Sequence, residues 1–336
     1  MPPEPLALPA VPAAKSLRLP AAWRVPLAAL AAAVAVLMLV TLRAWGAMLH
    51  QWWNIDTYNH LMLVPLIIAW LVALKEEALA RLVPQPCGPG LVLVAAALAL
   101  WWAGERLGIN LIAQAGAVGA VQAAVVTMLG IRVSLLLALP LACVAFLVPF
   151  GDEIIPPLQH ITAEIAIALT HWSGVPARIE GIHIHTPAGL FIVAEACSGV
   201  KFLIAMVTLG VLVAFTRFSR WSRRLAFLAA CVIVPILANG VRAWATIYVA
   251  QFIGAERATG FDHIVYGWVF FAIIMTVLLG AAWRFVEREP DTYGWPPEEI
   301  ARWAWVAQVE VSTFAPRSAA VAIFALAAIA AVAALF

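Results

Sequence analysis

Cys197 stands in Ala-Cys-Ser-Gly (196–199), where a polar stretch gives way to an apolar run. A cysteine at a helix N-terminus feels the positive end of the macrodipole, and exposed backbone N–H groups there solvate a thiolate. The same groups can serve as an oxyanion hole for a tetrahedral intermediate. Arg242 closes Asn-Gly-Val-Arg (239–242), inside an apolar run that begins at Leu225. A guanidinium at that depth snorkels outward or meets an anionic partner. His263 follows Asp262 directly and opens a further apolar run. Histidine is the natural general base near neutral pH. A nucleophile, a base and a cation for developing negative charge are the parts needed for acyl transfer through a thioester.

Other residues could support that set. Glu195, two residues before the cysteine on an expected strand, points to the same side as Cys197 and could orient His263 or bind substrate. Ser198 adjoins the nucleophile, and Asn239 lies one helical turn before Arg242 on the same face. Asp262 either orients the histidine or caps a helix. His183 and His185 alternate on a strand, with His160 and His171 nearby in sequence, and read as a wetted hairpin face in preference to a metal site. No Cys/His cluster has zinc-ligand spacing. The four cysteines are too few and too scattered for a disulfide framework.

The elements that must position these residues are membrane spans. Of 336 residues, 65% are apolar and only 11% charged, against about half and a quarter in a soluble domain. The net charge of +2 gives no argument for nucleic acid. Apolar runs near 27–47, 60–74, 90–104, 110–129, 133–150, 198–216, 225–250, 264–286 and 318–336 predict an all-α polytopic membrane protein of eight or nine transmembrane helices. With the N-terminus in the cytoplasm, 14 of the 20 basic residues fall inside, four of them in the run 216–224. That orientation puts Cys197, Arg242 and His263 in the outer half of three consecutive spans. Residues 1–26, rich in Pro and Ala, read as a disordered cytoplasmic tail, and the run after them as a retained signal anchor. Residues 151–197 form the outer insertion before the sixth span. It comprises a small helix (161–172) with Glu164 and His171 on its polar side, then a β-hairpin of 177–185 and 190–196 turning through 186–189. Residues 287–317 read as a cytoplasmic connector, and 318–336 as an additional C-terminal transmembrane helix.

The segments AEACSGV (194–200), NGVR (239–242) and DHIVYGWVFF (262–271) resemble the three signatures of the exosortase/archaeosortase family. YNHLMLVPLIIAWLVAL (58–74) resembles that family's early motif, a His followed by an apolar, Pro-containing span, and so adds His60 to the supporting residues. The resemblance covers roughly residues 45–286, which includes the whole candidate membrane domain 27–286 except its first helix. It departs at Leu61, where the family commonly has Gly, and at Lys201, where Arg is more frequent.

The resemblance implies a multispanning enzyme of the bacterial inner membrane with its active site facing the periplasm. Its partners would be the lipid bilayer and exported proteins bearing a PEP-CTERM-like C-terminal sorting signal: a short motif, a transmembrane helix and a basic tail. The family's catalytic Cys, Arg and His match Cys197, Arg242 and His263. The reaction would be cleavage or transpeptidation through a thioester, needing no metal and no organic cofactor. Two other classes stay open on the residues alone. A transporter or flippase would also explain many spans and an intramembrane Arg, and a non-catalytic scaffold for envelope assembly would need none of the three residues.

Overall fold

The computed structural model describes residues 20–261, 267–310 and 314–335. Apolar segments in hydrocarbon must satisfy their own backbone N–H and C=O groups, so they fold as helices. α1 (Arg24–Val40) and α2 (Leu42–Asn54) are separated at Thr41. α3 (Val64–Ala73) is entered through a 3₁₀ turn, and short α4 (Glu76–Ala80) leads on to α5 (Pro89–Leu107) and α6 (Asn110–Leu136). α7 (Ala138–Val144) and α8 (Ile155–Trp172) precede a three-stranded sheet of β1 (Arg178–Glu180), β2 (His183–Thr186) and β3 (Gly189–Ile192). α9 (Val200–Arg217), α10 (Trp221–Ile253), α11 (Ala255–Phe261) and α12 (Gly267–Trp283) complete the site-bearing half. α13 (Pro297–Ala301), α14 (Ala304–Glu310) and α15 (Pro316–Ala333) follow. The chain is an all-α polytopic membrane protein carrying one small sheet.

The spans differ in detail from the apolar runs. Among the described residues, six helices are long and apolar enough to cross a membrane, or eight if each of two bent pairs is one span. Leu42–Asn54 meets Asn59–Ala73 at 109°, and Ala138–Leu147 meets Asp152–Trp172 at 71°. Ile55 is extended at the first break. At the second, Val148 is extended before Pro149, whose ring disfavours helix in the preceding residue. The two breaks clasp each other: Tyr58 Oη donates to Asp152 at 2.6 Å, and Trp52 Nε1 donates to the Leu147 carbonyl at 3.0 Å. The boundary expected between residues 129 and 133 falls at Gly130, where α6 leaves helical geometry.

Three further expectations are corrected. The Pro/Ala-rich tail ends before residue 26. A 3₁₀ turn begins at Ala21, and Trp23 is buried with its indole N–H donating to the Leu82 carbonyl at 2.9 Å. Pro26 sits in the first turn of α1, where its missing N–H costs nothing. The hairpin is a three-stranded antiparallel sheet, because Gly181 splits the first strand. Its φ of 63° suits the first central position of a two-residue turn between Glu180 and His183. Finally, Glu195–Cys197 is a 3₁₀ turn and not strand, so Glu195 and Cys197 do not share a face.

Packing divides the bundle into two regions. In one, α1, α5, α6 and α15 meet through small residues, among them Ala33, Ala117, Ala120, Ala124, Ala320 and Ala327. Small side chains let helix axes approach closely where lipid supplies no hydrophobic drive between helices. In the other, α8 and α9 pack on α10. α8 buries Leu158, Gln159, Thr162, Ala163, Ala166, Ile167 and Thr170, and leaves Glu164 and His171 exposed, the polar side expected of it.

The end of the bundle opposite Cys197 is basic. Glu287 organises it: its carboxylate accepts the N–H groups of Ser219 at 2.7 Å and Arg220 at 3.0 Å, and pairs with Arg223 at 3.1 Å and Arg220 at 3.4 Å. The Arg220 N–H first, then the Ser219 N–H and the two guanidinium groups, hold this carboxyl below the usual carboxylate range. A depressed carboxyl stabilises the fold above its unfolded pKa of about 4.3, and that stability is lost as pH falls through the lower folded value. Glu287→Gln is therefore expected to unfold at a lower temperature than the wild type near neutral pH. The gap should close as pH drops from about 5 to about 3; thermal unfolding in detergent across that range measures it, and a pH-independent gap contradicts the assignment.

The connector is built into the fold. Lys75 donates to the carbonyl of Asp291 at 2.9 Å and to that of Tyr293, whose ring lies 4.1 Å from its ammonium. Tyr293 Oη donates to the Leu71 carbonyl at 2.8 Å, and Arg132 pairs with Glu310 at 2.7 Å.

Candidate active site

Cys197 ends the 3₁₀ turn after β3 and lies two residues before Gly199, the N-cap of α9. Gly199 has a φ of 83°, in the left-handed region. A Cβ there would lie 2.8 Å from Asn239 Cγ, so both conformation and close approach require glycine. Cys197 is half-buried, while Ser198 is buried and its hydroxyl accepts the Val200 N–H at 3.3 Å. The positive end of the α9 dipole is thus directed at the cysteine turn. Ser198, just before the N-cap, thus takes up the first N–H of that helix.

Asn239 holds the turn from α10. Its Nδ2 donates to the Cys197 carbonyl at 2.8 Å and to Thr162 Oγ1 at 3.0 Å. The residue is buried, so both bonds form away from solvent. Gln159, one turn before Thr162 on α8, donates to the Val193 carbonyl at 2.7 Å. α8 therefore fixes both the end of β3 and, through Asn239, the cysteine. The sequence reading missed Gln159 and Thr162. Their signal was present: two polar residues one turn apart, on the face of α8 opposite Glu164.

Arg242 lies one turn beyond Asn239, and the two line one cavity of about 120 Å³ with Cys197. Its other walls are Ile184, Phe191, Ile192 and Val193 of the sheet region and Ala243, Thr246 and Ile247 of α10. α12 starts beside the guanidinium: a Cβ at Gly267 would lie 3.9 Å from Arg242 Nη1. Phe202 of α9 stacks on Phe271 of α12 with centroids 4.8 Å apart, and both border a small void that Arg242 also lines. Asp262 and His263 lie outside the described residues. Glu195 is exposed.

His60 does not join this cavity. It lines a neighbouring cleft of about 270 Å³ with Asp56, Lys201, Phe202 and Phe271, which runs down between α3, α9 and α12 past Leu63, Ile67 and Met275. Its Nε2 is buried without a hydrogen-bond partner among the described residues. Phe202 and Phe271 border both this cleft and the void at Arg242.

The transmembrane exosortase family matches residues 52–280, more than half of the chain. The chain belongs to that family. Neither the curated proteins nor the solved structures hold a match to it. In this exosortase the matched region contains the sheet, α8 to α10 and most of α12, and so every described residue that lines the Cys197 cavity. α1 and α15 lie outside the match and pack on each other. Among the described residues, α15 packs on α1, α5 and α6, and none beyond position 280 lines the cavity.

Proposed function

We propose that this exosortase is a cysteine peptidase or transpeptidase that cleaves the C-terminal sorting signal of exported proteins. The observation that carries the reading is one cavity lined by Cys197 and Arg242, with the first residue of α12 beside the guanidinium. His263 precedes that residue by four positions in the sequence.

In this reading His263 takes the Cys197 proton and the thiolate attacks a peptide carbonyl carbon. The tetrahedral oxyanion is stabilised by Arg242 and by N–H groups at the start of α9. Collapse breaks the C–N bond, His263 protonates the leaving amine, and a thioester stays on Cys197. Water or an incoming amine then releases the acyl group. Glu195, exposed in the turn, would contact substrate, and Asp262, next to His263 in the sequence, would orient the histidine. The cleft at His60 and Lys201 would take the apolar helix that follows the scissile bond.

The orientation follows from charge. α9 runs from the Cys197 turn to Arg217, about 27 Å at 1.5 Å per residue. Arg217, Arg220, Arg223, Arg224, Arg284 and Arg288 gather at that far end, which the positive-inside rule assigns to the cytoplasm of the bacterial inner membrane. Cys197 then faces the periplasm.

The test is co-expression of the wild type, Cys197→Ala and His263→Gln with a tagged protein carrying a C-terminal motif, apolar helix and basic tail. The expected result is a shortened product with the wild type alone, all three enzymes being present in the membrane. Equal processing by Cys197→Ala removes the thioester reading.

A further inference from the structure

β3 is an edge strand beside the nucleophile. The sheet order is β1–β2–β3, and β3 pairs with β2 only among the described residues. The Val193 N–H donates to the Ile182 carbonyl at 3.0 Å, which makes these two a hydrogen-bonded pair of the antiparallel ladder. Such pairs alternate along a strand, so Phe191 and Gly189 also bond to β2, while Leu190 and Ile192 turn their backbone groups away from it. The Ile192 carbonyl accepts the Ala194 N–H at 2.9 Å. The N–H and C=O of Leu190 and the N–H of Ile192 are left along the open edge, without a protein partner among the described residues.

Open edges are templates for another strand, and proteins usually guard them with Lys, Pro or a bulge. β3 reads Gly-Leu-Phe-Ile and has none of these, and residues Leu190 and Ile192 are 51% and 52% exposed. The strand also runs straight toward the chemistry: Ile192 and Cys197 line the same cavity. An extended peptide is the ligand that matches a row of outward N–H and C=O groups. The cavity behind the edge, walled by Ile184, Phe191 and Ala243, has room for one small apolar side chain of such a peptide.

We infer that β3 receives the substrate as a fourth strand, the extended segment beside the scissile bond pairing with Leu190 and Ile192 and so reaching Cys197. The inference rests on the proposed peptidase function and specifies how its substrate is held. It makes backbone, not side chain, the recognised feature on the enzyme.

Two measurements test it, both with full-length enzyme in membranes. Ile192→Pro removes one outward N–H that β2 does not use, after a residue already in strand geometry. It should slow processing by about tenfold, the value of one hydrogen bond, and by more than Ile192→Ala, which keeps the N–H. An unchanged iodoacetamide rate at Cys197 shows that the turn survives the proline. Independently, Ile192→Cys combined with Cys197→Ser is oxidised with substrates carrying single cysteines at five successive positions before the scissile bond. Disulfides at alternate positions are expected. A period of three to four, no substrate crosslink, or enzyme–enzyme dimers in their place would each overturn the strand assignment. If Cys197→Ala is inactive while Ile192→Pro matches the wild type, the strand assignment alone falls. If Cys197→Ala processes normally, the peptidase reading falls, and the strand assignment with it.

Discussion

Cys197→Ala is expected to lower the rate of sorting-signal processing by on the order of 10⁴-fold or more, since loss of a nucleophile removes the covalent route entirely. Arg242→Ala should cost about 10²–10³-fold, the usual loss when one donor to an oxyanion is removed. Arg242→Lys should recover only part of it. A lysine keeps the charge but has neither the reach nor the planar fork of a guanidinium set between Cys197 and the start of α12. The double variant should be little worse than Cys197→Ala, because groups that act on one intermediate are not additive. Initial rates of product formation by immunoblot, normalised to enzyme in the membrane, measure all four. Additive losses would show that Arg242 acts in a step that does not involve the thiolate.

The second large effect is expected at Asn239. Asn239→Asp preserves shape but removes both N–H donors, and sets a carboxylate against the Cys197 carbonyl and the Thr162 hydroxyl in a buried place. A carboxylate facing a carbonyl oxygen repels it. The unsatisfied Cys197 carbonyl costs about 1–3 kcal/mol in addition. The cysteine turn should shift, and a displacement of about 1 Å at a reacting atom is worth about 10² in rate. Asn239 bonds to the Cys197 carbonyl and not to its thiol. It positions Cys197, so the discriminating readout is the pH profile of iodoacetamide alkylation. A positioning role predicts a changed profile at Cys197, with thermal unfolding lowered only modestly. Loss of folding with an unchanged profile in the surviving fraction would make Asn239 a purely structural residue. Gly199→Ala attacks the same contact from the other side, since its new Cβ would meet Asn239 Cγ at 2.8 Å.

Family membership was legible because its marks are local strings in order along the chain. The same locality explains the errors. Strand alternation puts Glu195 on the side of Cys197, but the chain tightens into a 3₁₀ turn there. The turn is needed to bring the chain from the sheet into α9, a demand that no two-residue period expresses. The alternation over 177–185 reads as one strand because a single glycine, Gly181, is a weak sign of a second turn inside it. Hydropathy counts apolar residues without recording direction, so it gives no sign of the bends in the spans at 60–74 and 133–150. The bends are held by Tyr58–Asp152 and Trp52–Leu147, pairs 94 and 95 positions apart.

By itself, then, the sequence determined a membrane protein with its charge gathered at one set of loops, and it offered Cys197, Arg242 and His263 as candidate reactive residues. Each of those conclusions depends on residue type and short spacing, which are properties of the chain alone. The tertiary structure decided which of the candidates meet: Cys197, Asn239 and Arg242 at one cavity, His60 in the neighbouring cleft, Ser198 buried against the first N–H of α9. It also brought in Gln159 and Thr162, which no motif marks. Those contacts join residues 34 to 77 positions apart. They exist only because α8 lies along α10, and that packing is set by shape and small-residue contact over whole helix faces, which no short window of sequence contains.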